Sequence, residues 1–172
     1  MIFTETPLPG AYVIDLNKLD DERGWFARAF CKEAFEAHGL CTDFVQHNLS
    51  YNKKCGTIRG LHYQLPPHEE IKVVRCVKGA IFDVIVDIRE SSLTYRQWYG
   101  TELSDENGRM LYVPAGFAHG FQTLSDDAAV FYLMSAYYQK GMDAGLPWND
   151  PRMGINWPIK EGIILSERDK GV

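Results

Sequence analysis

The sequence contains no C-x-x-C pair: its four cysteines, Cys31, Cys41, Cys55 and Cys76, are scattered along the chain. A chain of 172 residues buries enough surface to fold without disulfide staples. The cysteines are therefore expected to be reduced thiols of a cytoplasmic protein. Long apolar runs are also missing, since the most apolar segment, from Ala128 to Tyr138, carries Ser135 and three tyrosines and falls short of membrane-spanning length. The opening MIFTETPLPG lacks the basic start and apolar stretch of a signal peptide, so the mature chain is expected to begin there. No internal repeat, low-complexity tract or linker interrupts the sequence, and one domain is expected over residues 1–172. Positive charge is the minority, with 18 Lys+Arg against 23 Asp+Glu and a net charge of −5. That balance argues against a general nucleic-acid binder, so an anionic ligand has to be met by locally placed cations. There is no G-x-x-x-x-G-K-[ST] or G-x-G-x-x-G phosphate loop, and Ser50, Ser135 and Ser166 sit in no nucleophile elbow.

What the chain does have is short alternating runs separated by glycine and proline. In Ala80–Ile88, residues Ala80, Phe82, Val84, Val86 and Ile88 share one face, with Asp83 and Asp87 on the other. Similar runs at 11–16, 44–49, 57–64, 71–77, 97–103, 109–113, 116–124 and 129–138 bring the expected strands to nine. One helix is expected near 32–38, stopped by Gly39, and a short turn near 166–170. Many short strands with almost no helix predict an all-β fold, a double-sheet jelly roll or related barrel that holds its ligand between the sheets.

Polar residues interrupt these strands in a few places. In Gly56–Gln64, strand parity points His62 and Gln64 inward with Ile58 and Gly60, and points Arg59 the opposite way. Either a bulge at Gly60 re-aims one of them, or Arg59 serves a neighbouring subunit. A hydrogen-bonded core histidine is the plainer reading of His62. Lys72 shares a face with Val74 and Cys76, so it either points inward, where it needs an anionic partner, or that face is solvent-exposed. His119 lies between the inward aromatics Phe117 and Phe121, and Tyr132 shares a face with Met134, Ala136 and Tyr138, as core or as a proton donor. Cupin-type jelly rolls bind metals through a His-x-His pair, but the triplet here is His62-Tyr63-Gln64. With the second imidazole missing, no metal is expected.

These residues, in order, are Asp21-Glu-Arg-Gly-Trp-Phe26, Phe44-Val-Gln-His-Asn48, Ile58-Arg-Gly-Leu-His-Tyr-Gln64, Lys72, Phe82–Asp87, Val113–Phe121, Tyr132, Trp148-Asn-Asp-Pro151 and Leu165–Asp169. From about residue 10 to 170 the chain thereby resembles the dTDP-4-dehydrorhamnose 3,5-epimerase family of sugar-nucleotide epimerases. The resemblance implies a cupin-like homodimer that acts, without a cofactor, on a nucleotide-linked 4-keto-6-deoxy sugar, in deoxysugar and cell-surface polysaccharide biosynthesis. It implies His62 as base, Asp169 as its orienting carboxylate, Tyr132 as acid and Lys72 as the cation that meets the enolate oxygen. Arg23, Arg59 and His119 would hold the diphosphate, with Arg23 reaching across the dimer. Gln46, Asn48, Phe26 and Gln64 match ligand-contacting positions, and Tyr138 an aromatic that stacks on the base. The chain departs from the family pattern at Arg28 and Asp143, where dTDP-specific members carry Glu, at Ala144, at Arg168 for Lys, and at Leu133-Met-Ser135 for Lys-x-Thr. The departures leave open whether the base is thymine, cytosine or guanine, and whether C3, C5 or both invert. The alternatives are a 3,4-ketoisomerase, a non-catalytic sugar-nucleotide binding module and a metal-dependent dioxygenase.

Overall fold

A computed structural model describes residues 1–171; residue 172, the last of the expected domain, lies outside the described residues. The strands are β1 (Ile2–Glu5), β2 (Tyr12–Asp15), β3 (Leu19–Asp21), β4 (Gly24–Phe26), β5 (Gln46–Asn52), β6 (Ile58–Gln64), β7 (Lys72–Lys78), β8 (Ala80–Asp87), β9 (Trp98–Ser104), β10 (Met110–Val113), β11 (Phe117–Thr123), β12 (Ala128–Met134) and β13 (Asp143–Gly145). Two short helices, α1 (Lys32–Ala37) and α2 (Glu167–Lys170), complete the elements. All nine expected strands occur. The period-two reading missed β1, the β3–β4 hairpin and β13: β3, β4 and β13 span three residues each, too few for alternation to register, and the four residues of β1 are mostly exposed. The late strand ends at Met134, earlier than expected, so Ala136 and Tyr138 lie beyond it, on an irregular segment.

Two antiparallel sheets face each other, one ordered β1-β2-β10-β7-β12-β5 and the other β13-β6-β11-β8-β9. Leu8, Val74, Cys76, Ile81, Ile85, Leu111, Phe117, Phe121 and Val130 pack between them. The outer face of the first sheet is covered by α1, where Phe35 meets Ile14, Val73, Met110 and Tyr112. The outer face of the second is covered by the C-terminal segment, whose Met153 and Trp157 pack on Ile58, Leu61, Val84 and Val86. Such a double sheet, with almost no helix, is the cupin-like jelly roll the strand count predicts.

The C-terminal cover decides which way β8 faces. Parity divides the strand as expected, but the face bearing Phe82, Val84 and Val86 meets the C-terminal segment, while Ile81, Asp83 and Ile85 face the other sheet. Asp83 and Asp87 are consequently fully buried. Asp87 is satisfied by Arg89, through Nε at 2.9 Å and Nη2 at 2.7 Å, and by the Ser92 and Thr94 hydroxyls, each at 2.6 Å.

Candidate active site

The cavity opens between the sheets, and β6 shows how the chain brings its groups there. On β11, His119 pairs with His62 and Phe121 with Arg59, so one residue, Gly120, faces two, Gly60 and Leu61. This is a β-bulge. Parity without the bulge would aim Arg59 away from His62. With it, Ile58 and Leu61 turn to the C-terminal cover, while Arg59 and His62 line the same cavity. The placement of Ile58 on the face of His62 is corrected accordingly. Gly60 adopts φ +106°, and a Cβ there would lie 2.6 Å from the His119 carbonyl oxygen and 2.7 Å from Gly120 Cα. Only glycine fits at this crossing.

The cavity has two lobes of about 520 and 540 Å³, which share Leu49, His62, Lys72, Tyr132 and Arg168. His62 rises from β6 in one sheet, and Tyr132 and Lys72 from β12 and β7 in the facing sheet. Imidazole and phenol thus enter the cavity from opposite walls. One lobe adds Arg59, His119, Ser166 and Asp169, and the other adds Gln46, Asn48, Tyr138 and Asp143.

His62 Nε2 lies 2.6 Å from Asp169 Oδ1, with the carboxylate side chain only 3% exposed. Asp169 is presented by the N-cap of α2: Ser166 Oγ donates to Asp169 Oδ2 at 2.8 Å and accepts from the Asp169 amide at 3.1 Å. If Nε2–H donates to the carboxylate, Nδ1 keeps the lone pair. Burial pushes the His62 imidazole below 6.5, and the Asp169 charge only partly opposes it, so His62 is a neutral base near pH 7. Burial likewise pushes the Tyr132 phenol above 10.0, against the opposing pull of Arg59, so it holds its proton.

Lys72 points inward, settling the alternative that parity left open. Its ammonium meets Glu70 Oε1 at 2.9 Å, and both side chains are more than nine-tenths buried. Arg59 Nε donates to Asn52 Oδ1 at 2.6 Å, and His119 Nε2 lies 2.8 Å from Asp83 Oδ1. Tyr138 OH donates to Asp143 Oδ1 at 3.1 Å, and Arg168 pairs with Asp143 Oδ2 at 2.6 Å. No group of three His, Cys, Asp or Glu side chains able to hold a metal occurs among the described residues.

Four expected site residues lie elsewhere. Gln64 is buried in the wall, where its amide is taken up by protein partners, and it lines neither lobe. Arg23 sits on the β3–β4 hairpin with its side chain 84% exposed and paired to Asp21. Phe26 and Arg28 line a separate concavity beside Met1 and Cys31. Glu70, Asn52, Asp83 and Ser166 were not assigned to the site. Two of them left a signal: Glu70 shares the parity of Lys72, a buried lysine in need of an anion, and Ser166 stands three residues before Asp169, the spacing of a helix N-cap. Ser50, in parity with Gln46 and Asn48 on β5, also lines the cavity, with its buried hydroxyl unpartnered among the described residues.

Fold and cavity together define a class, the cupin-like jelly rolls with a polar cavity between their sheets, and comparison with known proteins narrows it. The family model described as dTDP-4-dehydrorhamnose 3,5-epimerase matches residues 5–172. A dTDP-4-dehydrorhamnose 3,5-epimerase of Sinorhizobium fredii is 45% identical over 98% of this chain and 87% of its own length. The enzyme of that name from Bacillus anthracis, solved with TDP and pyrophosphate bound, superposes with a TM-score of 0.94 at 42% identity, covering 98% of this chain and 96% of that one. A dTDP-6-deoxy-D-glucose-3,5-epimerase of Legionella pneumophila, in complex with dTDP-4-keto-L-rhamnose, gives 0.93 at 37% identity over 99% of this chain and 90% of that one. The chain belongs to the dTDP-4-dehydrorhamnose 3,5-epimerase family and is an isomerase, a sugar-nucleotide epimerase.

Proposed function

We propose that this chain is one jelly-roll epimerase domain, residues 1–172, acting without a cofactor on a dTDP-linked 4-keto-6-deoxy sugar by proton transfer next to the C4 ketone. The placement of His62 and Tyr132 on facing sheets around one cavity carries the reading. C–H bonds at C3 and C5 are acidified because the resulting carbanion delocalises onto the carbonyl oxygen. His62 removes the proton, and Asp169 orients the ring and stabilises the imidazolium that forms. Lys72 meets the enolate oxygen. Tyr132, still protonated, returns a proton from the opposite wall, which inverts the carbon.

Arg59 and His119 hold the diphosphate, and Gln46, Asn48 and Tyr138 the sugar and base. The Asp143–Arg168 pair borders the same lobe beside the Tyr138 hydroxyl. Arg23, Phe26 and Arg28 belong to the nucleotide site of a second copy in a homodimer. Two features favour that assembly: the β3–β4 hairpin exposes Trp25 by 44% and Phe26 by 71%, and edge strand β5 exposes Leu49 and Tyr51 at the rim of the cavity. We place the enzyme in the cytoplasm, where its four free thiols stay reduced, on a route to deoxysugar-containing surface polysaccharides.

The test is incubation with dTDP-4-keto-6-deoxyglucose in heavy water. Deuterium is expected at C3 and C5 with the carbonyl remaining at C4. A shift of the carbonyl to C3 would indicate a ketoisomerase, and binding without any exchange would leave only a sugar-nucleotide binding module.

A further inference from the structure

Glu70 is not among the groups assigned above, yet it is buried at the cavity wall with both carboxylate oxygens in use. Oε1 meets Lys72 Nζ at 2.9 Å, and Oε2 accepts from Gln64 Nε2 at 3.0 Å. Gln64 lies two residues beyond His62 on β6 and is itself a hub. Its Nε2 also reaches the carbonyls of His68 at 3.0 Å and Tyr137 at 3.3 Å, and its Oε1 accepts from the Gln139 amide at 2.8 Å. A primary amide has two N–H donors and one carbonyl, so this one is saturated by the protein. Its partners at 137 and 139 flank Tyr138, whose hydroxyl reaches Asp143 and, through it, Arg168. One chain of contacts thus runs from the ammonium of Lys72 to the segment that carries Tyr138.

An ammonium on a four-carbon stem has many rotamers, and only a fixed partner holds it at one point of a cavity wall. Of its three N–H donors, one is taken by Glu70, which leaves the others for a developing oxyanion. We propose that Glu70 is a positioning residue of the epimerisation: its carboxylate fixes Lys72 where the enolate oxygen forms and, through Gln64, ties it to the Tyr138 segment. The inference rests on Lys72 being the group that meets the enolate.

The test compares Glu70→Gln, Glu70→Asp and Lys72→Ala with the full wild-type chain, measuring kcat and KM alongside dTDP affinity from thermal shifts. Glu70→Gln keeps the shape and removes the charge. It is expected to lower kcat at least about tenfold, since displacing a catalytic group by about 1 Å costs up to a hundredfold. Affinity for dTDP should stay within about threefold, which a general loss of structure would not leave intact. Glu70→Asp, which keeps the charge on a shorter stem, should have a kcat between that of Glu70→Gln and wild type. Wild-type kcat in Glu70→Gln, alongside an impaired Lys72→Ala, overturns the proposal and leaves the role of Lys72 standing. Wild-type kcat in Lys72→Ala overturns the assignment of Lys72 instead. Should Glu70→Gln not fold, Glu70→Asp decides: reduced kcat with unchanged dTDP affinity supports the proposal, and wild-type kcat overturns it.

Discussion

Replacing Gly60 with alanine tests the link between fold and site most directly. The added Cβ meets backbone on both sides, 2.6 Å from the His119 oxygen and 2.7 Å from Gly120 Cα, where ordinary contacts begin near 3.4 Å. No side-chain rotation relieves this, so β6 and β11 must separate by several tenths of an ångström. Holding alanine at φ +106° costs about 1–3 kcal/mol. Forcing an extra carbon into a packed crossing costs about 1–3 kcal/mol more. The sum, about 2–6 kcal/mol, converts at about 2–4 °C per kcal/mol for a chain of this size into a melting-point drop of about 4–24 °C. Because the crossing also aims Arg59 and His62 into one cavity, kcat/KM should fall by about a hundredfold at temperatures where the variant remains folded. Differential scanning calorimetry and turnover of the dTDP-4-keto sugar measure the two effects. A variant that melts within about 2 °C of wild type and turns over normally would refute the reasoning that the glycine crossing sets the site.

Tyr132→Phe removes a hydroxyl that bonds to no described residue, so the melting point should hold while turnover falls about 10²–10⁴-fold. Deuterium exchange in that variant should outlast inversion, because His62 still abstracts; equal losses of the two would contradict the division of roles. The pH profile follows from burial of His62: its imidazole titrates below 6.5, so the acid limb of kcat/KM should lie below pH 6.5, with activity lost as the pH falls through that limb. Asp169→Asn removes the charge that opposes this lowering, so the limb should move further down while kcat drops about 10²–10⁴-fold from the misoriented ring. A limb that moves up instead would show that Asp169 does not act on His62.

Most of the architecture was legible because burial imposes period two on any strand with one face in a core, and nine runs were long enough to show it. Legibility failed where strands span only three residues, as in β3, β4 and β13, and where another segment covers a face. Asp83 and Asp87 illustrate the second failure. Their alternation was visible, but the C-terminal segment over Phe82 and Val84 sends them inward, and no local pattern encodes that cover. Among site residues, the ordered motifs marked His62, Lys72, Tyr132, Asp169, Arg59 and His119, all of which line the cavity. Gln64 stood in the same motif and sits in the wall instead.

By itself the sequence determined the class of fold, the resemblance to one enzyme family and which polar residues to look for in a site, since composition, periodicity and ordered motifs are written residue by residue. Only the tertiary structure decided which of those groups meet. His62 and Asp169 stand 107 positions apart and bond at 2.6 Å, and Arg59 shares the cavity with His62 because a bulge opposite Gly120 overrides strand parity. The contacts of Glu70 with Lys72 and of Ser166 with Asp169 are local by contrast, two and three positions apart, and follow from strand parity and a helix cap. Side-chain direction and partnership depend on how distant segments pack, and in a fold built mostly from long-range strand pairing the separations are too large for local sequence to specify.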